Sequence, residues 1–218
     1  MRRVLRNYSI GIVLALVCWS LWPKPPLRHP YGRYVSARPV QTTIPARVLC
    51  KRGDYTLTAV ARYGITARVL RTKRYRTQGD DLVPYDVAVG WEAMSDQAVL
   101  DRLKFSQSNR FYSYQWKATP PIPPFEMTVS SANVHVISAD DIVAAKVRRL
   151  RPGQFVEMRG YLVNATRPDG FQWNTSLRRD DTGKGACEIF YVESVRVSDT
   201  LEKTGALPGS QLLTRARL

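Results

Sequence analysis

The chain is poor in the residues that most often carry chemistry. Its 218 residues include only two histidines and three cysteines. No C-x-x-C spacing joins them, which excludes the usual histidine- and cysteine-built zinc sites. There is no G-x-S-x-G, no G-x-x-x-x-G-K-[ST], and no serine or cysteine with a recognisable histidine partner. The common nucleophilic and nucleotide-handling chemistries are therefore unsupported, and no motif implies a cofactor. Acidic residues are missing from the whole first quarter: nothing before Asp54 is Asp or Glu. Long apolar runs are scarce too, the longest uncharged one being Tyr8 to Trp22.

That run defines the N-terminus. Arg2, Arg3 and Arg6 precede it, and Pro23-Lys-Pro-Pro ends any helix. The run is shorter than the ~17–25 residues of most spanning helices, yet no good pair of small residues marks a cleavage point. Residues 1–22 are therefore read as an uncleaved signal anchor, one N-terminal transmembrane helix with Trp19 and Trp22 at the far interface. Residues 23–53 hold six of the fourteen prolines and several arginines. They read as a basic, extended juxtamembrane spacer. The expected address is a bacterial inner membrane, crossed once, with the domain in the periplasm.

A net charge of +15 suggests nucleic acid, but its distribution points elsewhere. Ten Lys/Arg and no acid lie in the first 53 residues, leaving 23 basic against 18 acidic residues beyond them. Basic residues beside a span attract anionic headgroups by about 1 kcal/mol each, so the bilayer is the first partner.

Residues 54–199 have the size of one ordinary domain. Leu57, Ala59, Ala61, Tyr63, Ile65, Ala67 and Val69 alternate with mainly polar residues. That pattern predicts a long half-buried strand, with Gly64 as its bending point. Ser95 can cap a short helix through Leu103. Lys104–Trp116 reads as a second strand ended by a proline-rich turn, and Ala132–Ile137 as a third. Ser138-Ala-Asp-Asp141 resembles a capping box opening a helix with Val143, Val147 and Leu150 on one stripe. Val156, Met158, Gly160 and Leu162 then alternate in a fourth strand. Phe171–Leu177 and Glu188–Val197 are further extended pieces, and residues 200–218 read as a flexible tail.

The predicted fold class is mainly β with short helices (α+β). Its order, with a helix between the third and fourth strands, is that of an OB-like small β-barrel. PGQFVEMRGYLV resembles the fourth strand of OB-fold domains, and Arg179-Asp180-Asp181-Thr182-Gly183 resembles their D-x-T-G turn. The likeness spans about Gly153 to Val197, and the segment Thr72 to Leu103 is then an insertion between the first strands. GWEAMSD, SQSNRFYSYQW and SANVHVISADD are similar to an uncharacterised group of membrane-anchored proteobacterial proteins, which implies a bacterial source and no activity.

Candidate site residues are few. Asn133 and His135 share one strand face; they form either an acid–base or ligand pair or, as the plainer reading, a polar pair satisfied by hydrogen bonds or solvent. Tyr112, Tyr114 and Trp116 share a face near Arg110. They are either a stacking platform for bases or sugars or part of the core, and the uniform aromatic spacing favours core. Asp80-Asp81, Asp140-Asp141 and Asp180-Asp181 could hold a cation for a hydrolase, but each fits a turn or helix start, so no metal is expected. Cys18 lies in the anchor. Cys50 and Cys187 are therefore a candidate disulfide in an oxidising compartment, or two small hydrophobes. Together these features predict a membrane-tethered, non-enzymatic binding or adaptor module of unknown ligand and protein partner. A nucleic-acid-binding domain at the membrane is the alternative, and a cation-dependent hydrolase the third.

Overall fold

A computed structural model describes residues 25–76, 81–178 and 187–201. The expected anchor and nearly all of the C-terminal tail lie outside them. Among the described residues no helix is long and apolar enough to cross a membrane. The fold is mainly β with a few short helices, as the sequence predicts.

Two long strands, β1 (Val40–Arg52) and β2 (Tyr55–Arg74), form an antiparallel hairpin. The alternation in β2 is realised: Leu57, Ala59, Ala61, Tyr63, Ile65, Ala67 and Val69 are all buried. Six more segments follow: β3 (Tyr85–Gly90), β4 (Leu103–Ser108), β5 (Phe111–Trp116), β6 (Ser131–Ser138), β7 (Phe155–Thr166) and the two-residue β8 (Gln172–Trp173). The last strand is β9 (Glu188–Ser198). The main sheet runs β1-β2-β3-β6-β9-β7-β8, and β7 also pairs with β2 along Thr56–Arg68. Among the described residues only the β6–β9 pair is parallel. β4 and β5 make a separate two-stranded hairpin.

Among the described residues the α-helices are α1 (Gln97–Leu100), α2 (Pro124–Val129) and α3 (Asp141–Arg148). α3 lies between β6 and β7 and turns Val143 and Val147 into the core, with Leu150 buried just beyond it. Its cap is Asp140 rather than Ser138: the Asp140 side chain accepts from the Val143 amide at 2.8 Å. Two residues of slip in the capping box leave the helix stripe unchanged. Likewise Asp96, not Ser95, caps α1 through the Ala98 amide.

Three expectations are corrected. The segment 23–53 is not a free spacer, since Val40–Arg52 is β1. Its proline hid it, and the pairing with β2 shifts register between Thr43 and Arg47, where Pro45 withholds a donor. Residues 25–38 are docked as well. Val35 is buried, Leu27 donates to Pro152 O at 2.9 Å, and Ser95 Oγ accepts from the Tyr34 and Val35 amides. Beneath them the Arg68 guanidinium is buried, donating to Ser95 O, Leu27 O and Gln97 Oε1. Burial pulls its pKa down to about 10.

The second correction concerns Lys104–Trp116, which is two strands. The chain reverses at Asn109 and Arg110, both with positive φ (50° and 67°), a turn that carries no glycine to announce it. The third follows from β3. Because Tyr85–Gly90 is a strand of the main sheet, the segment Thr72 to Leu103 is not an insertion between strands. Five of the six β3 residues are buried, so both faces are covered and no alternation betrays the strand.

Candidate functional site

The outward face of β3 and β6 gathers several of the residues singled out in the sequence. Asp86 sits directly opposite His135 and Ala88 opposite Asn133. His135 Nδ1 lies 2.8 Å from Asp86 Oδ1, and the Trp173 ring centroid is 5.0 Å from that of His135. From the turn of the β4–β5 hairpin, Arg110 reaches down to the same oxygen at 2.9 Å and to Val83 O at 2.7 Å. Its guanidinium also covers Tyr75, 3.9 Å from the ring centroid. Asn133 donates to Arg110 O at 2.9 Å and accepts from Gln107 at 2.7 Å. Asp86, His135, Asn133 and Gln107 are all buried.

This arrangement is a charged network that clamps the hairpin onto the sheet. His135 and Asn133 do share a face, and both are satisfied by hydrogen bonds. Asp86 had no signal in the sequence, because its strand did not either. An aspartate shared by a guanidinium and an imidazole is held in one geometry, which suits a fixed structural joint. The chemistry of a base would need a reacting group within reach, and the hairpin occupies that side.

The aromatic trio lies on the hairpin between exposure and burial. Tyr112 and Tyr114 are half-buried against Leu70, Ala88, Met94, Val99 and Met127, while Trp116 and Phe111 are exposed. The Tyr112 hydroxyl donates to Ser131 Oγ at 3.0 Å, and burial pushes its pKa far above the phenolic range. Arg110 does not join them; its side chain runs the other way, to Asp86.

Cys50 and Cys187 are both free thiols. Cys50 packs near Tyr191, whereas Cys187 stands beside Asn133 and Arg110. Four strand residues, about 13 Å, separate Cys187 from Tyr191, beyond the roughly 7 Å reach of a disulfide. Of the Asp-Asp pairs, Asp140-Asp141 caps α3, and Asp80, Asp180 and Asp181 fall outside the described residues. Among the described residues, no three His, Cys, Asp or Glu side chains come together to hold an ion.

A second region opens to solvent on the outer side of β1, β2 and β7. A groove of about 520 Å³ runs over Gly64 and Gly160. Its walls include Arg38, Arg62, Arg159, Glu157 and Glu193, with Thr42 and Thr66 between them. Tyr161 closes one side, and Arg47 and Arg62 lie over its ring at 5.0 and 5.6 Å. Glu157 accepts from Arg159 at 2.9 Å and from Arg196 at 2.6 Å. Burial raises the Glu157 pKa, but these two arginines outweigh it and leave the carboxyl below its ordinary value.

Nothing marked this groove in the sequence except Gly64, read there as a bend. The register shifts of β2 fall away from it, at Ala59/Ala61 and Val69/Arg71. Comparison of the chain with protein-family models, with curated proteins and with solved structures finds no match.

Proposed function

We propose that the chain is a membrane-tethered, non-enzymatic binding module built on an OB-like barrel. The ring of pairings β2-β3-β6-β9-β7-β2 supports the barrel, as does the parallel β6–β9 pair with α3 between the third and fourth ring strands. That is the OB order of strands and helix. The tether is the Tyr8–Trp22 segment. Docking of residues 25–38 supports a short link to it, because Leu27 is already held on the domain five residues after Trp22.

The observation that carries the binding reading is the open groove over Gly64. Ligand sites are typically concave pockets of about 300–1,000 Å³ with a few convergent polar groups, and the groove has both properties. The β3–β6 face, where OB domains commonly take their ligands, is here roofed by the β4–β5 hairpin. An adaptor role would use the same groove for a segment of a protein partner. A nucleic-acid reading draws on Arg47 and Arg62, which share the Tyr161 ring beside the groove.

Two measurements test the proposal. Full-length protein should stay in the membrane pellet through high salt and carbonate, and a fusion after Leu218 should work only with a periplasmic reporter. Amide shifts of the full chain in micelles, recorded against oligosaccharides, peptides and single-stranded oligonucleotides, should move Arg62, Thr66 and Arg159 for at least one class without turnover. A panel that leaves these amides unmoved, or converts one of its members to product, contradicts the binding reading. A response confined to oligonucleotides and steeply weakened by salt selects the nucleic-acid alternative.

A further inference from the structure

Gly64 occupies the middle of a twenty-residue strand. Its backbone is not left-handed, and a Cβ added there would meet nothing within 4 Å. Gly160, the β7 partner of neighbouring Tyr63, is different: a Cβ at that position would run into the Tyr191 carbonyl. A strand-interior glycine costs about 0.5–1 kcal/mol relative to alanine. A strand glycine with open space above it is one of the places where another molecule can lie directly on the backbone.

The charges around Gly64 limit what that something is. Arg38 is paired with Glu92 at 2.9 Å, and Arg159 with Glu157. Arg62 has no carboxylate partner among the described residues; its contact is the Tyr161 ring. Of the three arginines that line the groove, it is the cation left for a ligand. Glu157 and Glu193 also line the groove, so a chain of closely spaced phosphates would meet like charge. The Tyr161 face is already covered by Arg47 and Arg62, which leaves no ring for a base to stack on. Thr42, Thr66 and the two glutamates instead offer hydrogen-bond partners to hydroxyls.

Resting on the binding-module reading above, we infer that the groove takes an acidic oligosaccharide. One carboxylate lies on Arg62, its hydroxyls meet Thr66 and Glu193, and one sugar ring lies flat on the bare backbone at Gly64. A single anion among many hydroxyls matches a site with one spare cation and acceptors of both kinds. A side chain at Gly64 would occupy the place of the ring.

The test is calorimetric titration of the full-length protein in micelles with trigalacturonate, beside maltotriose and a twelve-nucleotide oligo-dT. The expected result is that trigalacturonate binds and maltotriose binds about tenfold or more weaker, as loss of a charged hydrogen bond implies. Gly64→Trp and Arg62→Gln should each weaken trigalacturonate by a similar factor while melting with the parent. Trigalacturonate binding unchanged by Gly64→Trp would overturn the site. Failure of trigalacturonate together with Gly64→Trp-sensitive binding of oligo-dT or maltotriose would overturn the ligand class and leave the binding module standing. Failure of all three, with no groove amide moved by the wider panel, would overturn both.

Discussion

On the outer face of β3 and β6, Asp86, His135, Asn133 and Gln107 lie buried under a hairpin that Arg110 pins in place. Across β2 and β7 the same sheet leaves Arg62, Thr66 and Gly64 bordering an open groove. Both regions are polar and both carry arginine. In the first, each charge is spent inside the protein on a partner at hydrogen-bond distance, so removing one strands another. In the second, Arg62 lies on a ring and not on a carboxylate, and the strand beneath it is bare. The difference teaches that polarity alone does not mark a site; what matters is whether the groups are already engaged with one another.

Substitutions can break that comparison, and the largest effect belongs to the roofed face. Asp86→Ala leaves Arg110 and His135 without their shared acceptor. It should cost about 3–5 kcal/mol in chemical unfolding, the range for breaking a buried ion pair. On the hairpin itself, Tyr114→Ala should cost about 3 kcal/mol and Trp116→Ala under about 1, because Tyr114 packs against the cluster that holds Met94 and Met127 while Trp116 is exposed. Equal losses at the two positions would mean that the trio is not divided between core and surface.

At the rim of the groove, Glu157→Gln tests a pH dependence. The folded carboxyl has a lowered pKa, so its stabilising share is present above the ordinary value of 4.5 and is lost as pH falls through the folded value. The parent should therefore lose stability on acidification from about pH 5 more steeply than the variant, with a cost at pH 7 of about 1 kcal/mol or less. Parallel pH curves would remove Glu157 from the account. The smallest effect is at Gly64. Gly64→Ala should raise stability by about 0.5 kcal/mol, since the space is open and the unfolded chain loses freedom.

Much of the fold was legible because the sequence wrote it as period. Thirteen residues of alternation gave β2, the i,i+4 stripe of Val143 and Val147 gave α3, and β6, β7 and β9 fell close to their expected spans. The rest failed for physical reasons. β3 is covered on both faces, so hydrophobic and polar residues do not alternate. β1 is a mostly exposed edge strand with a proline, and its pairing comes from β2 and not from its own pattern. The β4–β5 turn is made by Asn109 and Arg110 without glycine. At the site, His135 and Asn133 were legible as a pair because strand period fixes their face. Asp86 is 49 residues away in the chain and reaches His135 only through the β3–β6 ladder. Gly64 was visible, but its meaning depended on knowing that no bulge and no neighbour sits there.

The claim that separates the two faces is that Gly64 is bare for a ligand and not for the fold. Thermal unfolding of the full chain carrying Gly64→Trp, run beside Asp86→Ala, tests it most directly. The account predicts that Gly64→Trp melts within about 0.5 kcal/mol of the parent while Asp86→Ala falls well below it. A Gly64→Trp protein destabilised as much as Asp86→Ala would contradict it.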